Sequence, residues 1–154
     1  MIRRLLEGFD DASDGGASLQ TPADVMRQVG RCRLVITGSY HAGVFALSQG
    51  VPVIGLAKSD YYVAKFEGLA DQFGCGCDTV PLNQTALKQD LLDKTSRLWK
   101  AAGALRPRLL QAAEKQIAQG QQAYERLRDL VEARPGREKV RLRRNNRGGQ
   151  GYAC

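Results

Sequence analysis

The residues best suited to chemistry surround the only histidine of the chain, His41. This residue follows Gly38 and Ser39, where an apolar run ends and a segment rich in small residues begins. An apolar run bounded in this way is typical of a buried strand. A titratable ring at the start of a helix, beside the backbone N–H groups of a short polar loop, is suited to binding an anion. The residue types and their order therefore predict an anion site at this loop.

A βαβ unit is predicted around the loop. Two apolar segments, Arg33–Thr37 and Val53–Ala57, are predicted to be parallel neighbouring strands, and Ala42–Gln49 is predicted to be the helix that crosses between them. Gly50 suits the left-handed conformation that commonly ends a helix. Because open α/β sheets bind ligands at the carboxyl ends of their strands, this topology places His41 at a binding edge.

The flanking segments predict further helices and a short strand. Thr21 followed by a proline is typical of a helix start, and this helix is predicted to end near Gly30. The other predicted elements are a loop over 58–62, a helix over 63–72 that ends at Gly74, and a short edge strand over 78–80. Together these elements predict an α/β fold with a Rossmann-like parallel sheet and flanking helices.

Apolar residues in the C-terminal half recur at helical spacing in two stretches, separated by Gly103. The first stretch includes Leu87, Leu91, Leu98 and Ala102, and the second includes Leu105, Leu109, Ala113, Ile117, Tyr124, Leu127 and Val131. This pattern predicts that the domain ends in two long helices. We favour helices that pack on the sheet over a coiled-coil seam, because a seam needs sustained heptads.

The composition is that of a soluble protein without a membrane segment. Of the 154 residues, 43% are hydrophobic and 25% are charged, which is ordinary for one globular domain. The apolar runs are too short to span a bilayer, and the N-terminal residues lack the apolar core of a signal peptide. We therefore expect a cytoplasmic protein whose four cysteines are reduced thiols. The spacing of cysteine and histidine predicts no metal site, and no cofactor is expected.

The positive charge of the chain is concentrated at one end. The net charge is +7, and residues 134–154 include seven basic residues and one acidic residue. Proline, asparagine and glycine interrupt this segment, so we expect a disordered basic tail without a specific nucleic-acid partner. The expected organisation is an irregular N-terminal segment over 1–20, one domain over 21–133 and the tail over 134–154.

Two segments, 37–54 and 62–69, resemble the C-terminal part of the polysaccharide pyruvyl transferase family, and the resemblance is best over 31–74. The typical pattern of that family is an apolar strand, Arg-x-His-Ala, a small-residue helix, Gly-x-Pro and then a lysine before an apolar residue. The matching residues here are His41, Ala42, Gly50, Pro52 and Lys65. Ser39 stands where the family usually has arginine.

The resemblance implies one half of a fold similar to the GT-B glycosyltransferases, whose substrates lie in the cleft between two Rossmann-like halves. The family transfers the enolpyruvyl group of phosphoenolpyruvate to sugar hydroxyls and leaves a pyruvate ketal on a surface polysaccharide. The implied partners are phosphoenolpyruvate and a glycan acceptor, and an N-terminal half or a second copy of the chain would complete the cleft. The chain is then expected to be a C-terminal fragment or half-enzyme, which is catalytic only when completed.

The resemblance also suggests roles for individual residues. His41 is the expected catalytic residue, either as a general acid or as a cationic ligand of the phosphate. Gly38, Ser39 and Lys65 are the expected substrate-binding residues, through backbone N–H groups and a point charge. The pair Tyr61–Tyr62 is interpreted as a lid or as the edge of the core, with stacking against a sugar as the alternative.

Two other functions stay open from the sequence. The first is a noncatalytic binding or assembly module that is derived from the same fold. The second is a related glycosyltransferase of the GT-B type.

Overall fold

A computed structural model describes residues 19–133, which contain three strands and four helices. In chain order the elements are α1 (Pro22–Gly30), β1 (Val35–Thr37), α2 (Tyr40–Ser48), β2 (Val53–Ala57), α3 (Asp60–Phe73), β3 (Cys77–Pro81) and α4 (Leu87–Glu132). The alternation of strands and helices from β1 to α4 is that of an α/β fold, as predicted.

The three strands form one parallel sheet in the order β1, β2, β3. Val35 pairs with Val53 and Thr37 pairs with Gly55, and β2 pairs along its whole length with β3. This arrangement confirms the predicted parallel neighbours with α2 as the connection between them. The strand β2 has the predicted bounds, whereas β1 is two residues shorter and β3 is one residue longer at each end than predicted.

The helix α1 begins at a reciprocal capping pair. The Thr21 hydroxyl accepts a hydrogen bond from the Asp24 N–H at 3.2 Å, and the Asp24 carboxylate accepts one from the Thr21 N–H at 2.9 Å. Hydrogen bonds from Thr21 and Arg27 lower the pKa of Asp24 to about 2. Because this end is fixed by its own side chains, the helix begins and ends where the sequence predicts.

The helices that follow β1 and β2 begin earlier than predicted. The helix α2 begins at Tyr40 and not at Ala42, because Ser39 is the N-cap and its hydroxyl accepts from the Ala42 N–H at 3.5 Å. The helix α3 begins at Asp60, so three of the five residues of the predicted loop are helical. His41 therefore lies in the first turn of α2 and not at the entrance from a loop.

The central strand β2 is buried on both faces and joins two apolar clusters. The larger cluster includes Leu47, Val53, Phe66, Leu69 and Leu109, and the smaller one consists of Ile54, Val80 and Leu98 with their partly buried neighbours. Within the core, Gly55 of β2 lies against the ring of Phe66, which is fully buried. A Cβ atom at this position would overlap the ring, so the close approach of α3 to the sheet depends on glycine.

The described chain ends in one long helix, α4, and the prediction of two long helices is wrong. That prediction depended on Gly103 as a break, and the helix also contains Pro107, which cannot donate the usual hydrogen bond to the Gly103 carbonyl. The buried side chains of Ala102 and Leu109 carry the apolar stripe past this point. Packing of the stripe therefore overrides the local preference for a break.

Replacement of Gly103 by alanine is expected to stabilise the protein by about 1 kcal/mol. No neighbouring heavy atom lies within 4 Å of the added Cβ, and alanine loses less backbone entropy than glycine in a helix. Chemical denaturation measures the change in the free energy of unfolding. Gly68→Ala in α3, where the space is equally open, is the matched control. A loss of stability at position 103 alone would contradict a continuous helix there.

The described residues divide between two compact units, with 19–118 in the first and 119–133 in the second. The described part of the first unit contains the sheet with α1, α2 and α3. The described part of the second unit, 119–133, is helical up to residue 132 and has exposed apolar side chains at Tyr124, Leu127, Leu130 and Val131. No helix within 19–133 is long and apolar enough to cross a membrane. The predicted basic tail and the first 18 residues of the predicted N-terminal segment lie outside the described residues.

Candidate functional site

The predicted site residues lie at the carboxyl edge of the sheet. The strand β1 ends at Thr37 and leads through Gly38 and Ser39 into α2, so His41 lies in the first turn of that helix. The strand β2 ends at the same edge and leads into α3, where Lys65 lies in the second turn. The topology therefore directs both side chains to the edge at which parallel sheets bind ligands.

The side chain of Tyr40 links His41 to Lys65. The ring centroids of Tyr40 and His41 are 5.9 Å apart and the two rings meet edge to face. The Nζ atom of Lys65 lies over the Tyr40 ring, 5.2 Å from its centroid. The structure thus brings the predicted catalytic and substrate-binding side chains against one aromatic ring.

A second tyrosine, Tyr61, also contacts Lys65. The Nζ atom lies 4.8 Å from the centroid of the Tyr61 ring, which meets the ring of Tyr62 at 5.4 Å. Polar contact with Tyr61 raises the pKa of Lys65 above its usual value, so this side chain is a cation at neutral pH. Tyr61 itself is 63% exposed, which places it at the rim of the site and not at the edge of the core.

Tyr40, His41, Tyr61 and Lys65 form one cluster, and the buried Phe66 packs against its Tyr40 ring. Its ring centroid lies 6.4 Å from that of Tyr40, and its side chain is fully buried against Gly55. His41 is exposed and Lys65 is half-buried, so the polar groups face outward from a fixed apolar base. The position of Tyr40 therefore depends on the packing of α3 against the sheet.

Gly38 and Ser39 form the loop between β1 and α2. The Ser39 N–H donates to the Thr37 hydroxyl at 2.9 Å, and the Ser39 carbonyl accepts from the Gly43 N–H at 3.1 Å. Because the Ser39 N–H and hydroxyl are both engaged, the N–H groups of Tyr40 and His41 are the ones that the first helical turn leaves for a ligand. A Cβ on Gly38 would lie 3.7 Å from the Leu56 carbonyl oxygen, an ordinary contact.

The electrostatics of the cluster favour an anion. Lys65 contributes a positive charge, and the first turn of α2 contains no acidic residue. The first turns of α2 and α3 carry the partial positive charge of a helix N-terminus, although Asp60 offsets it in α3. A carboxylate or phosphate group is the ligand chemistry that fits these groups.

Residues 19–133 give less support to a metal site or to a cysteine nucleophile. Among residues 19–133, no group of three or more histidine, cysteine, aspartate or glutamate side chains is placed to hold a metal ion. Burial raises the pKa of Cys77 to about 12, so its thiol stays protonated at neutral pH and is a poor nucleophile. The groups available at the site are therefore an imidazole, an ammonium, tyrosine hydroxyls and backbone N–H groups.

Tyr40 is a residue of the site that the sequence does not predict. Its place on the helix has a local signal, because serine is a good N-cap. Ser39 as the N-cap makes Tyr40 the first residue of α2, beside the histidine. Its contact with Lys65 depends on the distance between α2 and α3, which no local pattern contains. Gly55 and Phe66 are likewise not predicted from the sequence, and their close approach sets the distance of α3 from the sheet.

Residues 7–60 of the chain match the protein family described as Polysaccharide pyruvyl transferase. The match confirms the predicted resemblance and includes β1, α2, β2 and His41. It begins before the region where the resemblance was expected to be best and ends before Lys65. Neither a curated protein nor a solved structure matches the chain.

Proposed function

We propose that the protein forms one wall of a pyruvyl transferase site and binds phosphoenolpyruvate between His41 and Lys65. The observation that carries the proposal is the packing of both side chains against the Tyr40 ring, at the carboxyl edge of a parallel sheet. The family match over residues 7–60 supplies the reaction class. The acceptor is proposed to be a pair of hydroxyl groups on a polysaccharide sugar.

Ketal formation places three demands on such a site. The methylene carbon of phosphoenolpyruvate must gain a proton, the adjacent carbon then carries oxocarbenium character, and the phosphate must leave. One sugar hydroxyl adds to that carbon and a second displaces the phosphate, so the products are the pyruvate ketal and inorganic phosphate. A cation and a proton donor that both contact the Tyr40 ring are proposed to meet the first and last of these demands.

The residues of the cluster fit these roles. Lys65, as a permanent cation at neutral pH, is proposed to bind the phosphate or the carboxylate. The N–H groups in the first turn of α2 are proposed to contribute further hydrogen bonds to the same anion. His41 is exposed beside them and is proposed to deliver the proton or to bind the departing phosphate.

The exposure of the cluster supports the proposal that a second surface covers it during catalysis. His41 is exposed and Tyr61 is 63% exposed, whereas a reacting oxocarbenium centre needs protection from water. We propose that this surface is a second Rossmann-like half, as in the GT-B arrangement, or another copy of the chain.

A noncatalytic binding module is the second candidate, and Ser39 is the observation that favours it. In the family pattern an arginine stands at this position, and here the serine hydroxyl instead caps α2. A site with one cation fewer would bind the same anion and stabilise the leaving phosphate less. Release of inorganic phosphate in the presence of a glycan acceptor distinguishes the transferase from the binding module.

Replacement of Lys65 by methionine is expected to weaken phosphoenolpyruvate binding at least about tenfold. Methionine keeps an unbranched aliphatic side chain and removes the charge, and a hydrogen bond to a charged group contributes about 1.5–3 kcal/mol. Titration calorimetry on the full chain measures the affinity. Lys100→Met, on the exposed face of α4, is the matched control and should bind as the wild type does. Equal affinity of the Lys65 and Lys100 variants would refute the proposed site.

A further inference from the structure

The ammonium group of Lys65 lies within reach of two tyrosine rings that belong to different helices. Tyr40 is the first residue of α2, and Tyr61 is the second residue of α3. Both ring centroids lie within 6 Å of Nζ, the range in which a cation is attracted to the face of an aromatic ring. The ammonium is therefore held by contacts to both helices and not by its own helix alone.

We propose that Tyr40 and Tyr61 are positioning residues that hold the Lys65 ammonium at the site before an anion arrives. We refer to these two rings as the tyrosine clamp. The benefit of the clamp for phosphoenolpyruvate binding rests on the proposed function, whereas the clamp itself is a property of the unliganded protein.

The tyrosine clamp reduces the conformational entropy that the Lys65 side chain loses when it binds an anion. The side chain has four rotatable bonds and loses rotamer freedom when its ammonium is fixed against an anion. A side chain that is already fixed loses less freedom on binding, so the affinity is higher for the same contact. Polar contact with Tyr61 raises the pKa of Lys65 above its usual value, so the group that lies over both rings is the charged ammonium.

The two tyrosines differ in how firmly they are anchored. Tyr40 packs against the buried Phe66 and contacts His41, so its removal would disturb the core and the histidine together. Tyr61 is 63% exposed and meets Tyr62 at the surface, so it can be changed with little effect on folding. Tyr61 is therefore the position at which the clamp can be tested.

The first test measures the clamp without any ligand. Protons above an aromatic ring are shielded, so the Cε–H signal of Lys65 should lie upfield of that of Lys88, which is exposed on α4. Lys65→Arg assigns the signal by its loss. Tyr61→Leu should move the signal towards the position of Lys88, and Tyr61→Phe, which keeps the ring, should leave it near its wild-type position. An unshifted wild-type signal would overturn the clamp, whatever the protein binds.

The second test measures what the clamp does for binding. In calorimetry with phosphoenolpyruvate, Tyr61→Leu is expected to bind about three- to fivefold more weakly than the wild type, and Tyr61→Phe is expected to restore most of the affinity. A Tyr61→Leu variant that loses the upfield shift and binds as tightly as the wild type would overturn the positioning role. If the wild type binds no phosphoenolpyruvate, the proposed function fails, and the shift in the unliganded protein alone decides whether the clamp exists.

Discussion

Replacement of Gly55 by valine is expected to abolish the folded state, and replacement by alanine is expected to destabilise it by about 1–3 kcal/mol or more. Gly55 lies in the central strand, pairs with both neighbouring strands and faces the Phe66 ring. Any Cβ at this position overlaps the ring, and the ring is fully buried, so it has no free space to enter. Such a loss is a large part of the stability of a small domain.

Chemical denaturation of the alanine variant measures this effect, and two further variants define its cause. Gly38→Ala, at the end of β1, is the matched control, because its Cβ would make only an ordinary contact at 3.7 Å. In a double-mutant cycle, Phe66→Leu should recover part of the loss caused by Gly55→Ala, since the two side chains compete for one space. Additive effects of the two substitutions, or a Gly55→Ala variant as stable as the wild type, would show that this packing is wrong.

Replacement of His41 by alanine is expected to remove the stabilisation of the protein by phosphoenolpyruvate and to leave the unliganded protein almost unchanged. A ligand that binds only the folded state stabilises it by about 2.7 kcal/mol at a concentration of 100 times its Kd. His41 is exposed in the first turn of α2, and its described contact is the edge-to-face meeting with Tyr40. Alanine is a better helix former than histidine, so the folded state should tolerate the change.

Thermal melts with and without the ligand measure both parts of this expectation. His41→Asn is a second variant that keeps a hydrogen-bonding side chain without the titratable ring, and it should also lose most of the stabilisation. A His41→Ala protein that melts several degrees earlier without ligand, with no effect of the anion on either protein, would show that the histidine is structural. In that case His41 would not be the catalytic residue that the transferase proposal requires.

The βαβ unit could be predicted from the sequence because its signals are local. The apolar segment Val53–Ala57, bounded by Gly50 and a proline, predicts the observed strand, and the two-strand parallel pairing follows from the helix between the strands. The positive φ of Gly50, at 78°, is the left-handed conformation that was predicted for the helix end. The predicted start of α2, at Ala42, is two residues late, because Ser39 is the N-cap and the helix begins at Tyr40.

The long helix and the tyrosine contacts could not be predicted, because they depend on packing between distant residues. Gly103 and Pro107 favour a break locally, and only the burial of the stripe beside the sheet explains why α4 continues. The contact of Lys65 with Tyr40 depends in turn on Gly55, which no local sequence pattern links to either residue. The sequence predicts which residues carry charge at the site, whereas the contacts among them depend on how the helices pack against the sheet.

The most direct test of an anion site at His41 is the NMR signal of its imidazole during a titration with phosphoenolpyruvate. The chain has one histidine, so its two imidazole C–H signals belong to His41 without further assignment. Both signals are expected to shift saturably with phosphoenolpyruvate, and Lys65→Met is expected to need a higher concentration for the same shift. Parallel titrations with inorganic phosphate and with pyruvate show which group of the ligand the site recognises. Imidazole signals that do not move at millimolar phosphoenolpyruvate, in a protein whose fold is intact, would contradict an anion site at His41.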